Sequence, residues 1–244
     1  METNVLVLLV TGVFVIALLY SSVGHAGASG YIAVMSLLSL APAEIKPIAL
    51  ALNILVATIG SFQFWRAGHF SWSLFWPFAL LSVPFAFLGG YLNLPAQAFK
   101  VIVGIVLLVS AAQFLLRPPA EGEPHPPART VAMGVGAGLG LLSGLTGTGG
   151  GIFLTPLLIF LRWARTKTAS ATSALFILLN SISGLLGNVS ATQTFPRFGF
   201  SLLAAAGIGG AIGSWFGSRR LDPLVIKRLL AVVLVIAGLK LILT

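Results

Sequence analysis

Residues 145–158 read LTGTGGGIFLTPLL, a stretch with four glycines in five positions followed at once by an apolar run. Glycine destabilises a helix interior, and in a bilayer every backbone N–H and C=O group must find a partner within the protein. An irregular segment therefore survives there only where protein or a water-filled cavity surrounds it. A second break, SSVGHAGASG, occupies residues 21–30. Two such breaks in corresponding positions are typical of a transporter's substrate site.

The composition indicates an integral membrane protein, because 57% of the 244 residues are hydrophobic and only 8% are charged. The net charge of +9 does not predict a nucleic-acid partner, since most Lys and Arg lie in short loops between apolar segments, where they set orientation. The absence of cysteine excludes disulfides, thiolate metal sites and cysteine-based chemistry. The first apolar run, Val5–Tyr20, has no basic residue before it, and we interpret it as a retained helix.

Ten hydrophobic segments are predicted, at residues 4–20, 30–41, 47–64, 72–91, 98–116, 131–146, 150–161, 168–187, 199–216 and 224–243. The second and seventh are too short to cross a hydrocarbon core of about 30 Å unaided. Between the fifth and sixth segments, residues 117–130 read RPPAEGEPHPPART, and their five prolines are typical of a solvated linker.

The two sides of this linker resemble each other. Gly30 matches Gly151 and Lys46 matches Lys167, both at an offset of 121 residues. Each side places a long helix, a Gly-rich break, a short helix, a charged loop and three long helices in the same order. We interpret the pattern as an internal duplication, and five segments per half predict that the second half is inverted in the membrane.

The distribution of basic residues among the loops predicts the orientation of the chain in the membrane. Numbering the loops alternately places ten of the fourteen basic residues on one side of the membrane and four on the other. The positive-inside rule then predicts a plasma (inner) membrane protein with a cytoplasmic linker, 117–130, and both termini outside. Each short segment could instead form a re-entrant hairpin with the segment before it, and every later loop would stay on the same side of the membrane. Charge therefore leaves open ten crossings, six crossings plus two hairpins, and mixed cases.

The predicted fold class is therefore an all-α polytopic membrane protein. Its two homologous halves, residues 1–116 and 131–244, form an inverted repeat. Each half contains a Gly-broken or re-entrant helix pair plus three transmembrane helices.

Each break ends where a short helix begins, which leaves unpaired N–H groups and the positive end of a helix dipole. Such a site favours a small oxyanion. The predicted substrate-binding residues are Thr148, Gly149, Gly150 and Gly151 in the second break, His25, Gly27, Ala28, Ser29 and Gly30 in the first, and Asn53 and Asn180 on the long helices that follow.

Each of these residue types has a structural alternative. Glycines also serve close helix packing, which we favour for the scattered residues Gly104, Gly134, Gly136, Gly138 and Gly207. The amides of Asn53 and Asn180 could donate to an anion or cap a neighbouring helix. His25 could carry a proton, donate to the anion, or simply hold its turn together. Lys46 and Lys167 are expected at the interface, with a gating or steering role as the alternative.

The acidic residues discriminate among functions. All five lie in predicted loops or at the terminus, which argues against a metal-cation pathway and a carboxylate proton relay. We expect no metal and no cofactor. An enzyme is not expected either, because no nucleophile–base pair can be assembled.

The stretch GLLSGLTGTGGGIFLTPLL, Gly140–Leu158, closely resembles the glycine-rich signature of the sulfite exporter TauE/SafE family of membrane permeases. The resemblance covers nearly the whole chain, with two similar halves joined by a polar linker. The first-half version, GHAGASGYIAVMSLL, is degenerate: Ala28 and Ser29 replace glycines, and Met35 stands where Pro156 does. The resemblance implies transport of sulfur-containing anions such as sulfite or organosulfonates, usually outward.

We therefore expect a secondary transporter that exports a small sulfur-containing oxyanion by alternating access, with the anion site between the two breaks. An anion channel and a non-transporting membrane scaffold are the alternatives. The expected partners are the small anionic substrate and the lipid bilayer, and a homodimer stays open.

Overall fold

The structure of the protein is a computed structural model. It describes residues 3–92, 123–193 and 199–220, together with scattered positions between 95 and 112 and between 222 and 242. Much of the predicted segments 98–116 and 224–243, and residues 117–122 of the linker, lie outside the described residues.

Every regular element in the described part of the chain is an α-helix. The continuously described helices are α1 (Thr3–Ser21), α2 (Ala28–Leu37), α3 (Pro42–Arg66), α4 (Trp72–Tyr91), α5 (Arg129–Thr146), α6 (Gly151–Phe160), α7 (Thr166–Thr192) and α8 (Phe200–Arg219). Eight of the ten predicted segments are confirmed as helices, with shifts of a few residues at their ends. The start of α3 lies earlier than expected, since Pro42 pre-sets the first helical turn and Glu44 complements its dipole.

Five of the described helices are long and apolar enough to cross a membrane, namely α1, α3, α4, α7 and α8. The chain is thus a multi-pass membrane protein. Helices α2 and α6 have ten residues each, about 15 Å at 1.5 Å per residue, or half of the hydrocarbon core.

Helix α2 runs back along α1. A Cβ atom built on Gly30 would lie 2.4 Å from Ile16, and one on Gly12 would lie 2.8 Å from Val34. As the residue number rises along α2, it falls along α1, so the two helices are antiparallel. In the first half, the break is therefore a reversal of the chain, and α3 starts from the side on which α2 ends.

The first helix of each half packs chiefly against the fourth described helix of the other half, so that α1 lies on α8 and α5 on α4. Glycines spaced four apart bring these backbones together. On α5, Gly136, Gly140 and Gly144 face the carbonyl oxygens of Phe78, Ser82 and Ala86, and on α8, Gly209, Gly213 and Gly217 face those of Phe14, Leu18 and Ser22. Backbone contact of this kind replaces the hydrophobic drive that lipid does not supply.

The scattered glycines divide into two groups. Packing is confirmed for Gly136 and for Gly104, whose Cβ would lie 2.4 Å from Ile242, and Gly207 makes ordinary contact with Leu55. Gly134 and Gly138 make no such contact with the described residues, because a Cβ on either would meet none of their atoms within 4 Å.

The two longest helices, α3 and α7, lie against each other at the centre of the molecule, and each also contacts the fourth helix of the other half. Together they carry nine of the twenty buried polar or charged side chains in the described part of the chain. Both breaks are held against this central pair.

Candidate functional site

Both breaks are built on glycines in the left-handed backbone conformation. Gly24 and Gly27 have φ of +78° and +109°, and Gly147 and Gly150, with the same spacing, have φ of +76° and +77°. Residues with a Cβ rarely adopt this conformation, which explains why both breaks need glycine. Helices α2 and α6 begin directly after Gly27 and Gly150, and no side chain caps either N-terminus.

The two breaks meet inside the protein. The Nε2 atom of His25, in the first break, lies 3.1 Å from the carbonyl oxygen of Gly151, at the start of α6. Because a carbonyl can only accept, Nε2 donates this bond. His25 is only 5% exposed, and the bond joins the two halves where both short helices begin.

Helices α3 and α7 support the second break. The amide nitrogen of Asn53 donates to the carbonyl oxygen of Thr148 at 3.4 Å and to Oγ of Ser181 at 3.3 Å. A Cβ on Gly149 would lie 2.6 Å from the same amide nitrogen, so only glycine fits here. The hydroxyl of Thr148 pairs with that of Thr146 at 2.9 Å.

The structure does not bring all the predicted residues to this point. The hydroxyl of Ser29 donates to the Tyr20 hydroxyl at 3.1 Å, and Ala28 belongs to the apolar core around α1. Gly30 is where α2 packs on Ile16. The amide nitrogen of Asn180 donates to the Phe176 carbonyl of its own helix at 2.9 Å, so this bond caps no neighbouring helix.

Four buried hydroxyls on α5, α6 and α7 have no hydrogen-bond partner, namely those of Ser143, Thr155, Thr172 and Ser173. All four side chains are at most 2% exposed. Ser143 lies beside Gly150, since a Cβ on that glycine would be 3.2 Å from the Ser143 Cβ. Buried polar groups are normally paired, so the unpaired Ser143 hydroxyl beside an uncapped helix N-terminus is a donor suited to an anion.

Acidic side chains stay away from this region in the described part of the chain. Glu44, Glu123 and Asp222 are exposed, while Glu2 and Glu121 lie outside the described residues. The described buried residues include one charged side chain, Lys46.

Lys46 is buried within the protein, near the start of α3. Its Nζ donates to the carbonyl oxygens of Gly89, Gly90 and Leu92 at 3.1–3.3 Å and so completes the C-terminus of α4. A cation at the negative end of a helix dipole is stabilising. Lys167 is half-buried, and its Nζ donates to the Ser218 carbonyl near the end of α8 at 3.3 Å.

Sequence reasoning missed two residues that bound the breaks. Tyr20 faces His25 edge-on with ring centroids 6.4 Å apart, and Phe176 would meet a Cβ on Gly150 at 2.9 Å. Both lie in ordinary apolar runs, and no local pattern separates them from other core aromatics.

The chain is similar in sequence to known membrane proteins. The family model described as "Sulfite exporter TauE/SafE" matches residues 8–241. The chain is 41% identical over 233 residues to the probable membrane transporter protein y4hK of Sinorhizobium fredii, with 93% of this chain and 94% of that protein covered. It is 25% identical over 186 residues to the probable membrane transporter protein YunE of Bacillus subtilis, with 68% of each chain covered. No solved structure gives a significant match.

The matched residues span both breaks and nearly all of the chain, and both relatives are named as membrane transporters. The chain belongs to the sulfite exporter TauE/SafE family of membrane transporters.

Proposed function

We propose that the protein is a secondary permease for small sulfur-containing oxyanions, such as sulfite or organosulfonates, and that the anion binds at the second break. The observation that carries the proposal is the uncapped N-terminus of α6, which lies beside the unpaired Ser143 hydroxyl and is joined to the first break by His25. Backbone N–H groups, hydroxyls and a helix dipole together suit an oxyanion. The family description supports sulfur as its central atom.

The proposed arrangement is an inverted repeat of residues 1–116 and 131–244, joined by the linker 117–130. Two sets of contacts support opposite directions for the two halves. Helices α4 and α5 run parallel, and so do α1 and α8, as the four-residue steps of their glycine contacts indicate. Lys46, near the start of α3, contacts the end of α4, so α3 begins on the side opposite to the start of α5.

The proposed mechanism is alternating access about the breaks, with the linker and most basic loops in the cytoplasm. An inside-negative potential of about 100 mV favours expulsion of a monoanion by roughly 2.3 kcal/mol, so export needs no coupled ion. The described carboxylates are all exposed, which agrees with the lack of a carboxylate relay.

The test is a flux panel in proteoliposomes that compares sulfite, sulfate, thiosulfate, an organosulfonate and a carboxylate. We expect saturable flux and counterflow with sulfite or the sulfonate. Flux that neither saturates nor shows counterflow would indicate an anion channel. No flux with any of the anions would contradict the proposed function and favour a scaffold.

A further inference from the structure

A cavity of about 420 Å³ lies away from the breaks, where α4, α5 and α7 begin. Its wall combines apolar, hydroxyl and cationic side chains. The lining residues are Ser71, Ser73, Leu74, Pro77, Pro124, Pro126, Pro127, Arg129, Ala132, Trp163, Ala164, Arg165 and Thr168. Because prolines of the linker belong to the wall, the cavity is on the linker side of the protein.

Charge makes this cavity attractive to anions. Arg129 and Arg165 line it, and no carboxylate does so among the described residues. The guanidinium of Arg129 lies 5.4 Å from the centre of the Trp76 ring, a contact that limits its freedom. Helices α4, α5 and α7 have no acidic residue in their first turns, so three positive helix ends add to the two guanidinium groups.

Helix α7 leads from the cavity to the second break. Thr168 lines the cavity, and Thr172, one turn further on, is fully buried with an unpaired hydroxyl. Phe176 comes after another turn and touches Gly150, and Asn180 follows with an unpaired amide oxygen. Side chains four apart lie near each other on one helix face.

A cluster of apolar side chains, called the apolar plug below, lies between Thr168 at the cavity and the second break. Phe78, Leu154, Leu158 and Phe176 are completely buried and belong to one core cluster. The same cluster includes Leu74, Ala132 and Ala164 of the cavity wall. The plug thus reaches from the cavity to the glycines of the second break and leaves Thr172 as a polar group embedded beside it.

We propose that this cavity is the linker-side loading vestibule of the permease, where Arg129 and Arg165 bind a small oxyanion before it passes Phe176 to the second break. This inference rests on the proposed function. Arginine suits the role because its planar fork binds the oxygens of an oxyanion in pairs. The structure then represents a conformation closed between vestibule and site.

The first test measures flux in the double variant Arg129→Gln and Arg165→Gln. We expect the KM for the transported anion to rise about tenfold, since charge-assisted hydrogen bonds to the anion are lost, with kcat changed less than about twofold. The matched control is Arg66→Gln, an exposed arginine at the end of α3 that is not part of the cavity wall, and its KM should stay unchanged.

The second test does not need transport. The cysteine-free chain allows a single Ser73→Cys change in the cavity wall and a reference Ser201→Cys change on α8. Sulfonatoethyl methanethiosulfonate is anionic, and its trimethylammonium analogue is cationic. We expect the anionic-to-cationic rate ratio at position 73 to exceed that at position 201 by about fivefold, and the double Gln variant to abolish the difference.

The outcomes separate the two proposals. Wild-type flux with an unchanged KM in the double Gln variant would overturn the vestibule alone, and so would equal reagent ratios at positions 73 and 201. Absence of wild-type flux with every anion would overturn the proposed function and the loading role with it. Size-exclusion profiles that match the wild type establish that the double variant is folded.

Discussion

Ser143 is the residue that best distinguishes a binding role from a packing role at the second break. Its hydroxyl is fully buried, has no partner and lies beside Gly150. A buried hydroxyl without a hydrogen bond costs stability, so selection for packing alone would favour alanine at this position. Binding an anion gives the hydroxyl a partner.

Ser143→Ala should therefore raise the KM for the transported anion about tenfold and leave thermal stability unchanged or slightly higher. Flux kinetics in proteoliposomes and a melting curve in detergent measure the two effects. The control is Ser214→Ala, because the Ser214 hydroxyl is equally buried but donates to the Gly210 carbonyl of its own helix at 2.6 Å. A drop in stability with an unchanged KM in Ser143→Ala would contradict the binding role.

Gly150 is less suited to a substitution test of anion binding than its place in the Gly-rich break suggests. Substitution would force a side chain into a left-handed conformation and against Phe176 at 2.9 Å. Loss of flux would then report misfolding as readily as loss of a site. The sequence predicts that glycine allows close approach of a ligand, whereas the structure adds that the turn itself requires it.

Lys46 is expected to contribute stability, because its ammonium satisfies three carbonyl groups at the end of α4. Lys46→Met should lower the free energy of unfolding by about 2 kcal/mol, which reflects the loss of hydrogen bonds from a charged donor. Melting curves in detergent measure the change. Lys167→Met removes one bond from a half-buried lysine and should cost clearly less, so an equal loss in both variants would contradict the capping role.

At the scale of elements, the contact between α4 and α5 depends on glycine spacing. Gly140 faces the Ser82 carbonyl so closely that a Cβ would lie 2.2 Å from its oxygen, whereas a Cβ on Gly138 would meet nothing within 4 Å. The two residues are on the same helix and in similar sequence. They form a matched pair that separates packing from helix propensity.

Gly140→Ala should separate α4 from α5 and lower the melting temperature markedly. Gly138→Ala should leave the melting temperature unchanged or raise it, since alanine favours a helix over glycine by up to about 1 kcal/mol. Thermal unfolding followed by circular dichroism in detergent measures both. Equal behaviour of the two variants would show that the close approach at Gly140 is not what holds this helix pair.

The sequence predicted the helices well because hydrophobic length and Gly-rich breaks are local signals. It also predicted that His25 and Thr148–Gly151 belong to one region, since matching breaks imply a shared centre. It could not predict that Lys46 is buried, because its partners are carbonyl groups more than forty residues away. Nor could it separate Gly136 from Gly138, since only the position of α4 makes one face of α5 crowded and the other open.

At the scale of the whole molecule, the packing of the first helix of each half against a helix of the other half limits which groups of helices can move independently. Helix α1 is held to α8 and α5 to α4 by backbone contact, so the first helix of each half moves together with a helix of the other half. The contacts between α3 and α7 and the His25–Gly151 hydrogen bond lie between these two groups. If the protein works by the proposed alternating access, we expect rearrangement at the centre, where the breaks meet. The pair of α1 and α8 and the pair of α4 and α5 should each stay intact.

The topology has a direct test, because the proposed inverted repeat would place the start of α1 and the start of α5 on opposite sides of the membrane. The variants Asn4→Cys and Glu123→Cys each put one exposed thiol into a chain without cysteine. In intact cells, a membrane-impermeant maleimide should label position 4, whereas position 123 should react only after the membrane is permeabilised. The positive-inside rule predicts which side of the membrane holds the linker. The parallel contacts of α4 with α5 and of α1 with α8 support the opposite directions of the two halves. Labelling of both positions from the same side would contradict the inverted repeat, and reversed labelling would keep the repeat but place the linker outside the cell.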